Sequence, residues 1–231
     1  MSVHDRQPGE LVSVKNEQTI GGAPSSPMEG CYEYDVFLSY CRRSGSAAEW
    51  VTEYFAQLLE KFLGDLLPDR PRIYLDAQME TGERWPDHLR RGLSRSKLMI
   101  AVWNAPYFSS PWCLAEWYSM QERERICSHA GPTNPAGLVL PLHYADGNYF
   151  DAEARTRTKT NVQKWCRVSP AFAQSADFLT FEECIRRLAE LVTQRLEWVP
   201  PWQDWPVRIP DPASVPPAPA ATDPKSWLGG A

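Results

Sequence analysis

The middle of the chain alternates short apolar runs with amphipathic helical patterns, and this alternation strongly limits the possible folds. The first run, residues 34–40, has the length and the β-branched and aromatic content of a buried strand. After it, apolar residues recur at helical spacing: Val51, Tyr54, Phe55, Leu58, Leu59, Phe62 and Leu63. Such a stripe covers one face of a sheet. The alternation is typical of a parallel sheet with crossover helices.

Three further strands are predicted at residues 72–76, 98–103 and 138–142, because these short apolar runs have the length of strands. Pro141 removes one amide donor from the last run, which places that strand near a sheet edge or ends it early. Residues 144–178 show no readable pattern. Together these four strands and their helices predict a flavodoxin-like, three-layer α/β fold, a class in which a parallel five-stranded sheet carries helices on both faces.

Capping residues mark the starts of two helices. Ser110 can cap a helix and Pro111 can occupy its first position, so a helix is predicted to follow and to run to about residue 126. Thr180 and Glu183 have the spacing of a capping box and predict the start of the last helix, which ends before residue 200. A capped start locates the end of the loop before it.

The composition changes at both ends of this pattern. Residues 1–30 are polar and rich in Gly, Ser and Pro, and they are predicted to form a flexible arm. Residues 200–231 contain a run rich in Pro and Ala and are predicted to form an extended tail that acts as a spacer. The folded domain is therefore predicted to span residues 31–199.

Charge and cysteine usage exclude several classes of function. A net charge of −5 without clustered Lys and Arg argues against a nucleic-acid binder. Neither a signal peptide nor a membrane span is evident, so the domain is predicted to be cytoplasmic and independent of membranes. The six Cys and four His lack ligand spacing, which predicts reduced, mostly buried thiols and no metal site.

In a doubly wound sheet, ligands bind beyond the carboxyl ends of the strands. The residues that directly follow the predicted strands are therefore the candidates for a site. They include hydroxyls, guanidinium groups, aromatic rings and one carboxylate near a helix start, a set suited to a nucleotide sugar and its phosphates. The candidates are Ser39, Tyr40, Arg42, Arg43, Asp76, Tyr107, Trp112, Cys113 and Glu116.

Three segments resemble the signature motifs of the Toll/interleukin-1 receptor (TIR) domain family. Residues 33–40 (EYDVFLSY) resemble its opening strand, which ends in a Ser-aromatic pair. Residues 93–102 (LSRSKLMIAV) resemble its second motif, a helix end that leads into the central strand. Residues 110–116 (SPWCLAE) resemble its third motif, which is the most specific of the three. The motifs occur in the family's order, so the resemblance covers most of the predicted domain.

Many TIR domains hydrolyse NAD⁺ between nicotinamide and ribose, and they use a glutamate of the third motif. The resemblance assigns that role to Glu116. A carboxylate suits this chemistry because it stabilises the oxocarbenium-like charge that develops on the ribose. NAD⁺ is then the substrate, and no cofactor is implied.

The same resemblance assigns binding roles around Glu116. Ser39, Tyr40 and Arg42 would line the pocket floor, with Arg43 beside them, while Trp112 and Cys113 would form its wall. Trp85 or Tyr107 would stack on a ring of the ligand, and the loop from Asp76 to residue 84 would contact a neighbouring subunit. From its residue type alone, Cys113 is more often a packing residue. Activity would depend on self-association.

Two other functions remain open at this point. Many animal TIR domains are non-enzymatic adaptors, although such adaptors commonly lack the glutamate of the third motif. A third alternative is synthesis of a cyclic ADP-ribose-type signal, because the product depends on which group attacks the same ribosyl cation. The preferred hypothesis is a bacterial NAD⁺ glycohydrolase concerned with immunity or toxicity. Its trigger would be a separate activating protein or nucleotide ligand.

Overall fold

The computed structural model describes residues 30–75, 85–131 and 134–211. Five parallel strands form one sheet: β1 (Tyr34–Ser39), β2 (Ile73–Leu75), β3 (Ser96–Trp103), β4 (Val139–His143) and β5 (Thr160–Asn161). Their order across the sheet is β2-β1-β3-β4-β5. This is the flavodoxin-like order, so the predicted fold class is confirmed.

Helical segments connect the strands. They are α1 (Gly45–Trp50), a π-helical turn (Val51–Phe55), α2 (Ala56–Leu66), α3 (Trp85–Ser94), α4 (Ala105–Phe108), α5 (Pro111–Ile126), α6 (Ala152–Thr156), a 3₁₀ turn (Gln163–Trp165), α7 (Pro170–Ala173) and α8 (Ala176–Leu196). None of the helices in the described ranges combines the length and the apolar character needed to cross a lipid bilayer. The apolar stripe predicted after β1 falls on the π-helical turn and α2, and the helical region begins earlier, at Gly45.

Side-chain alternation along the strands assigns the helices to two faces of the sheet. Phe37 of β1 pairs with Tyr74 of β2 and Met99 of β3, so these three side chains lie on one face. Tyr74 contacts His88 of α3. Trp103 lies four residues after Met99 on β3, so it is on the same face, and it contacts Trp117 of α5. The opposite face carries α2 and α8, which pack against each other. The layers are therefore helix, sheet and helix.

Close packing fixes α3 against the sheet at a glycine. A Cβ on Gly92 would lie 2.4 Å from the ring of Tyr74, closer than any real Cβ contact. Tyr74 itself is stacked on Phe37, with 4.9 Å between ring centroids, so its ring is held from the other side. Only glycine lets α3 approach the sheet this closely.

The position of β4 confirms the prediction from Pro141 that this strand lies near a sheet edge. β4 lies second from the sheet edge, and Pro141 pairs with Ala101 of β3. The short ladder with β5 starts one residue later, at Leu142. The edge strand β5 lies in the region where the sequence showed no pattern, because two residues are too few to give a periodic signal.

The last helix starts earlier than predicted. α8 begins at Ala176, so the capping box assigned to Thr180 and Glu183 is wrong. The Thr180 hydroxyl lies inside the helix, where it donates to the carbonyl of Asp177 and accepts from the indole N–H of Trp165 at 2.9 Å. A hydroxyl that is already engaged in this way does not cap a helix start.

The packed chain also extends past the predicted boundary at residue 199. Residues 200–211, called the C-terminal strap here, lie against the domain. Trp205 is 3% exposed, and its indole N–H donates to the Tyr32 hydroxyl at 3.1 Å. The indole N–H of Trp202 donates to the carbonyl of Ser94 at 3.2 Å. The prediction of a spacer from residue 200 is thus wrong for the strap. The predicted arm up to residue 29 and the tail from residue 212 lie outside the described residues.

Candidate functional site

The carboxyl edge of the sheet, where β1 and β3 end side by side, brings several candidate residues together. Ser39 closes β1 and pairs with Ala101, two residues before β3 ends at Trp103. Ser39 and Trp103 therefore lie on the same face of the sheet. Helix α5 packs on that face, with 5.2 Å between the ring centroids of Trp103 and Trp117. The start of α5 thus lies close to Ser39.

Helix α5 begins where the sequence predicts. The Ser110 hydroxyl accepts the backbone N–H of Cys113 at 3.4 Å, and Pro111 is the first helical residue. Cys113 and Glu116 are three residues apart, so they are neighbours on one side of the helix. Glu116 is 6% exposed. The cap thereby sets the position of a buried carboxylate at the sheet edge.

Glu116, Ser39 and Tyr107 form a chain of hydrogen bonds. The Ser39 hydroxyl donates to Oε2 of Glu116 at 2.5 Å and lies 2.8 Å from the Tyr107 hydroxyl. A serine hydroxyl carries a single hydrogen. Because Ser39 gives that hydrogen to Glu116, the hydrogen between Ser39 and Tyr107 comes from Tyr107. A separation of 2.5 Å is in the range of hydroxyl-to-carboxylate bonds, which are stronger than neutral ones.

Tyr107 reaches Ser39 from the single turn of α4. Asn104 caps this turn by accepting the backbone N–H of Tyr107 at 2.9 Å, while its amide donates to the Ser44 hydroxyl at 3.0 Å. Burial raises the pKa of Tyr107 well above its ordinary value, and the charges of Cys113 and Glu116 act in the same direction. The ring is fully buried, so the prediction that it stacks on a ligand is wrong for this conformation. Tyr107 acts on the site through its hydroxyl.

A pair of thiols lies beside this chain. Cys41 follows β1 and Cys113 lies in the first turn of α5, and each is 4% exposed. The hydrogen bond from the Cys113 thiol lowers the pKa of Cys41 to about 6; burial opposes this shift, and the backbone N–H groups of Arg43 and Ser44 support it. The pKa of Cys113 is correspondingly raised. In the described ranges, no three His, Cys, Asp or Glu side chains form a group that could hold a metal ion.

The remaining candidates are placed around this core of the site. Tyr40 is buried, Arg42 and Arg43 lie exposed in the turn after β1, and Trp112 is half-buried and packs against the core. Trp85 is described as the first residue of α3. Asp76 and the loop to residue 84 lie outside the described residues. The structure thus joins Ser39, Tyr107 and Glu116 by hydrogen bonds, and Cys113 interacts electrostatically with Tyr107 and Glu116.

Sequence reasoning missed three parts of this arrangement. It did not assign Cys41 to the site, it gave no role to Asn104, and it treated the ring rather than the hydroxyl of Tyr107 as the useful group. One signal was available for all three. Each residue follows β1 or β3, and these strands are neighbours in the sheet.

The buried carboxylate and its hydrogen bond suit the arrangement to the stabilisation of positive charge. A carboxylate at the edge of a packed core acts in a medium less polarisable than water, so its field on a nearby positive charge is stronger than in solution. The hydrogen bond from Ser39 fixes the direction of one carboxylate oxygen. A group prepared in this way stabilises developing positive charge and accepts hydrogen bonds from hydroxyls.

Two solved structures are similar to parts of this chain. The TIR domain of the Toll-related receptor TRR-2 from Hydra magnipapillata is similar at 16% identity, over 66% of this chain and 98% of that chain, with a TM-score of 0.40. The TIR domains of the activated Roq1 resistosome, which directly recognises the pathogen effector XopQ, are similar at 21% identity over 68% of this chain and 84% of that chain, with a TM-score of 0.38. No curated protein sequence matches this chain.

Family membership follows from the sequence match. The family described as TIR domain matches residues 36–157. That range is more than half of the chain and contains Ser39, Tyr107 and Glu116. It also runs from β1 to the residue just after α6. The chain therefore belongs to the TIR domain family.

Proposed function

We propose that this TIR domain is an NAD⁺ glycohydrolase in which Glu116 stabilises the ribosyl cation. The observation that carries the proposal is the Glu116 carboxylate itself, which is buried at the carboxyl edge of the sheet and held by the Ser39 hydroxyl at 2.5 Å. Ligands of doubly wound sheets bind at this edge. The site therefore has the group that the reaction requires at the place where a nucleotide would bind.

The chemistry needs little beyond that carboxylate. The bond between the ribose carbon and the nicotinamide nitrogen breaks, and its electron pair goes to the nitrogen, so the leaving group becomes neutral without a general acid. The ribose carries the positive charge, which the carboxylate opposes. Water then adds to the ribose and loses a proton, giving nicotinamide and ADP-ribose. Attack by a base or hydroxyl of the same nucleotide would give a cyclic product instead.

The proposal includes control by self-association in the cytoplasm. Loss of NAD⁺ without control would be toxic, so a domain with this activity requires an inactive state. Assembly meets this need if a neighbouring subunit completes the pocket. A separate activating protein or nucleotide ligand would then promote assembly, in a role in bacterial immunity or toxicity.

Nicotinamide release from NAD⁺ tests the proposal. Purified protein is assayed in dilute solution and immobilised at high density on beads, and the products are separated by chromatography. Glu116→Ala removes the carboxylate. Glu122→Ala is the matched control, because Glu122 lies on the same helix and pairs at the surface with Arg125. We expect release by the wild type and by Glu122→Ala at high density, and loss of release in Glu116→Ala.

The other outcomes decide between the alternatives. Release that persists in Glu116→Ala would remove Glu116 from the chemistry. Absence of release from the wild type at every density would favour a non-enzymatic adaptor, which would still self-associate. A cyclic product that depends on Glu116 would identify the protein as a synthase of a nucleotide signal.

A further inference from the structure

We infer that Tyr107 is a positioning residue: its hydroxyl holds the Ser39 hydroxyl on Glu116 and so fixes the orientation of the Glu116 carboxylate. The kinetic consequence of this inference rests on the proposed NAD⁺ cleavage. The orientation itself is a property of the folded protein, so it is also measurable without any substrate.

The hydroxyl hydrogens of Ser39 and Tyr107 determine the direction of donation. Two oxygens at 2.5 Å need a hydrogen between them, and the bond from Ser39 to Glu116 has this length. With Glu116 as a carboxylate, which carries no hydrogen, the shared hydrogen belongs to Ser39, so Ser39 has none left for Tyr107, whose oxygen is 2.8 Å away. Tyr107 must be the donor in that second bond. The direction of donation thus runs from Tyr107 to Ser39 and from Ser39 to Glu116.

Tyr107 is held rigidly in its position as the donor. Its ring is fully buried and makes an edge contact with Phe108, with 5.3 Å between ring centroids. Its backbone N–H is fixed by Asn104. The raised pKa of the phenol keeps the hydrogen on Tyr107, so Tyr107 remains a donor at neutral pH. A rigid donor restricts the rotation of the Ser39 hydroxyl.

The proposed reaction depends on the alignment of the Glu116 carboxylate. A carboxylate that opposes charge on the ribose must be aligned before the bond breaks, since alignment during the reaction would cost part of the stabilisation. Loss of the Tyr107 hydroxyl leaves the substrate pocket intact, because that hydroxyl is buried behind Ser39. The turnover rate should therefore fall while KM stays nearly constant.

Tyr107→Phe removes the hydroxyl and keeps the buried ring. In nicotinamide release, we expect kcat to fall about tenfold with little change in KM. In a Ser39→Ala background, Tyr107→Phe should have no further effect on kcat, because its path to Glu116 is already broken. Tyr54→Phe is the control, since the Tyr54 hydroxyl donates to the carbonyl of Ser169 away from Glu116. It should leave kcat unchanged.

A second double-mutant cycle needs no activity. The free energy of unfolding is measured for Tyr107→Phe, Glu116→Ala, which removes the acceptor of the Ser39 hydroxyl, and the double variant, and then for the same set in the Ser39→Ala background. We expect non-additive losses that become additive without the Ser39 hydroxyl. The pair Tyr54→Phe and Glu116→Ala should be additive throughout.

Each outcome decides the inference. An unchanged kcat in an active Tyr107→Phe, or a kcat that falls equally with and without the Ser39 hydroxyl, overturns it. Additive stability losses for Tyr107 and Glu116 also overturn it. If the wild type releases no nicotinamide, the proposed function fails, and the stability cycle alone decides whether Tyr107 orients Glu116.

Discussion

The two ends of helix α5 each bury a glutamate, but the partners of the two carboxylates differ. Near the N-terminal end, Glu116 accepts a hydrogen bond from the hydroxyl of Ser39. Near the C-terminal end, Glu124 accepts two bonds from the guanidinium of Arg157, at 2.6 and 3.1 Å, and two from backbone amides at the entry to β4, at 2.7 and 3.1 Å. The two residues are 6% and 2% exposed. Burial alone therefore does not distinguish the two carboxylates, whereas their partners do.

The neighbour of Glu124 shows the same structural pattern. Arg123 is 1% exposed and donates to the carbonyls of Ser96 at 2.7 Å and Leu93 at 2.8 Å. Burial lowers its pKa to about 10, so it stays charged at neutral pH. Its guanidinium also lies 5.0 Å from the ring centroid of Trp205 in the C-terminal strap. At this end of α5, the charged side chains of Arg123 and Glu124 connect the helix to other segments of the fold.

The largest expected effect is on activity at the N-terminal end. Glu116→Gln keeps the shape of the side chain and an oxygen that accepts from Ser39, but removes the negative charge. We expect nicotinamide release to fall about 10³-fold. The free energy of unfolding should change by less than about 1 kcal/mol. Enzyme assay and urea denaturation of the same preparation measure both quantities.

A large loss of stability in Glu116→Gln would break the comparison, because it would place Glu116 in the structural class with Glu124. Retained nicotinamide release would also break the comparison, because it would contradict the role proposed for the Glu116 charge. The charged control Glu122→Gln, at the helix surface, should change neither quantity.

The next largest effect is on stability at the C-terminal end. Glu124→Gln leaves the half-buried guanidinium of Arg157 beside a neutral amide. Because Oε1 accepts both backbone N–H bonds, the amide donor of the glutamine would replace Oε2 and face that guanidinium. We expect a loss of about 3–5 kcal/mol in the free energy of unfolding. Urea denaturation with an unchanged slope would measure it.

Activity of Glu124→Gln, assayed well below its unfolding temperature, should stay near the wild-type value. A variant that loses activity while fully folded would show that the two ends of α5 are coupled. That result would contradict the separation of roles drawn from their partners.

A smaller loss is expected from the strap. Trp205→Phe keeps a ring over Arg123 but removes the indole N–H that donates to Tyr32. We expect a loss of about 1–2 kcal/mol, from one buried hydrogen bond and a weaker cation–π contact. Thermal unfolding measures it. Trp198→Phe, at a position 68% exposed, is the control and should have no effect. Equal losses in the two variants would show that the strap does not stabilise this end of α5.

The sequence predicted those parts of the fold that depend on local patterns. The Ser110 cap and Pro111 are local signals, and the structure confirms them. The contact between Ser39 and Glu116 follows from the adjacency of β1 and β3. The direction of the Tyr107 side chain depends on the single turn of α4, which is too short to give a periodic pattern.

Two errors have a common cause. The spacing of Thr180 and Glu183 fits a capping box, but a distant donor, Trp165, engages the hydroxyl inside α8. The strap has the proline content of a spacer, but Trp202 and Trp205 anchor it to distant segments. In both cases a tertiary contact overrides a local or compositional signal, and single-sequence reasoning does not contain that contact.

The smallest expected effect concerns the thiols at the two ends of α5, whose pKa values are shifted in opposite directions. At the N-terminal end, the Cys113 thiol lowers the pKa of Cys41 to about 6. At the C-terminal end, burial raises the pKa of Cys127 above its ordinary value. Titration followed by the ultraviolet absorbance of thiolates should show one ionisation near pH 6 that Cys41→Ser removes and Cys127→Ser leaves in place.

The same ionisation has a defined effect on stability. A thiol whose pKa is lower in the folded state than in the unfolded state stabilises the fold once pH exceeds the unfolded value, and this gain is lost as pH falls through the folded value. The unfolding free energy of the wild type relative to Cys41→Ser should therefore rise as pH increases from about 6 toward the ordinary thiol pKa of 9.0. A difference that is flat across this window, together with an unchanged titration, would show that the two ends of α5 do not differ in their thiols.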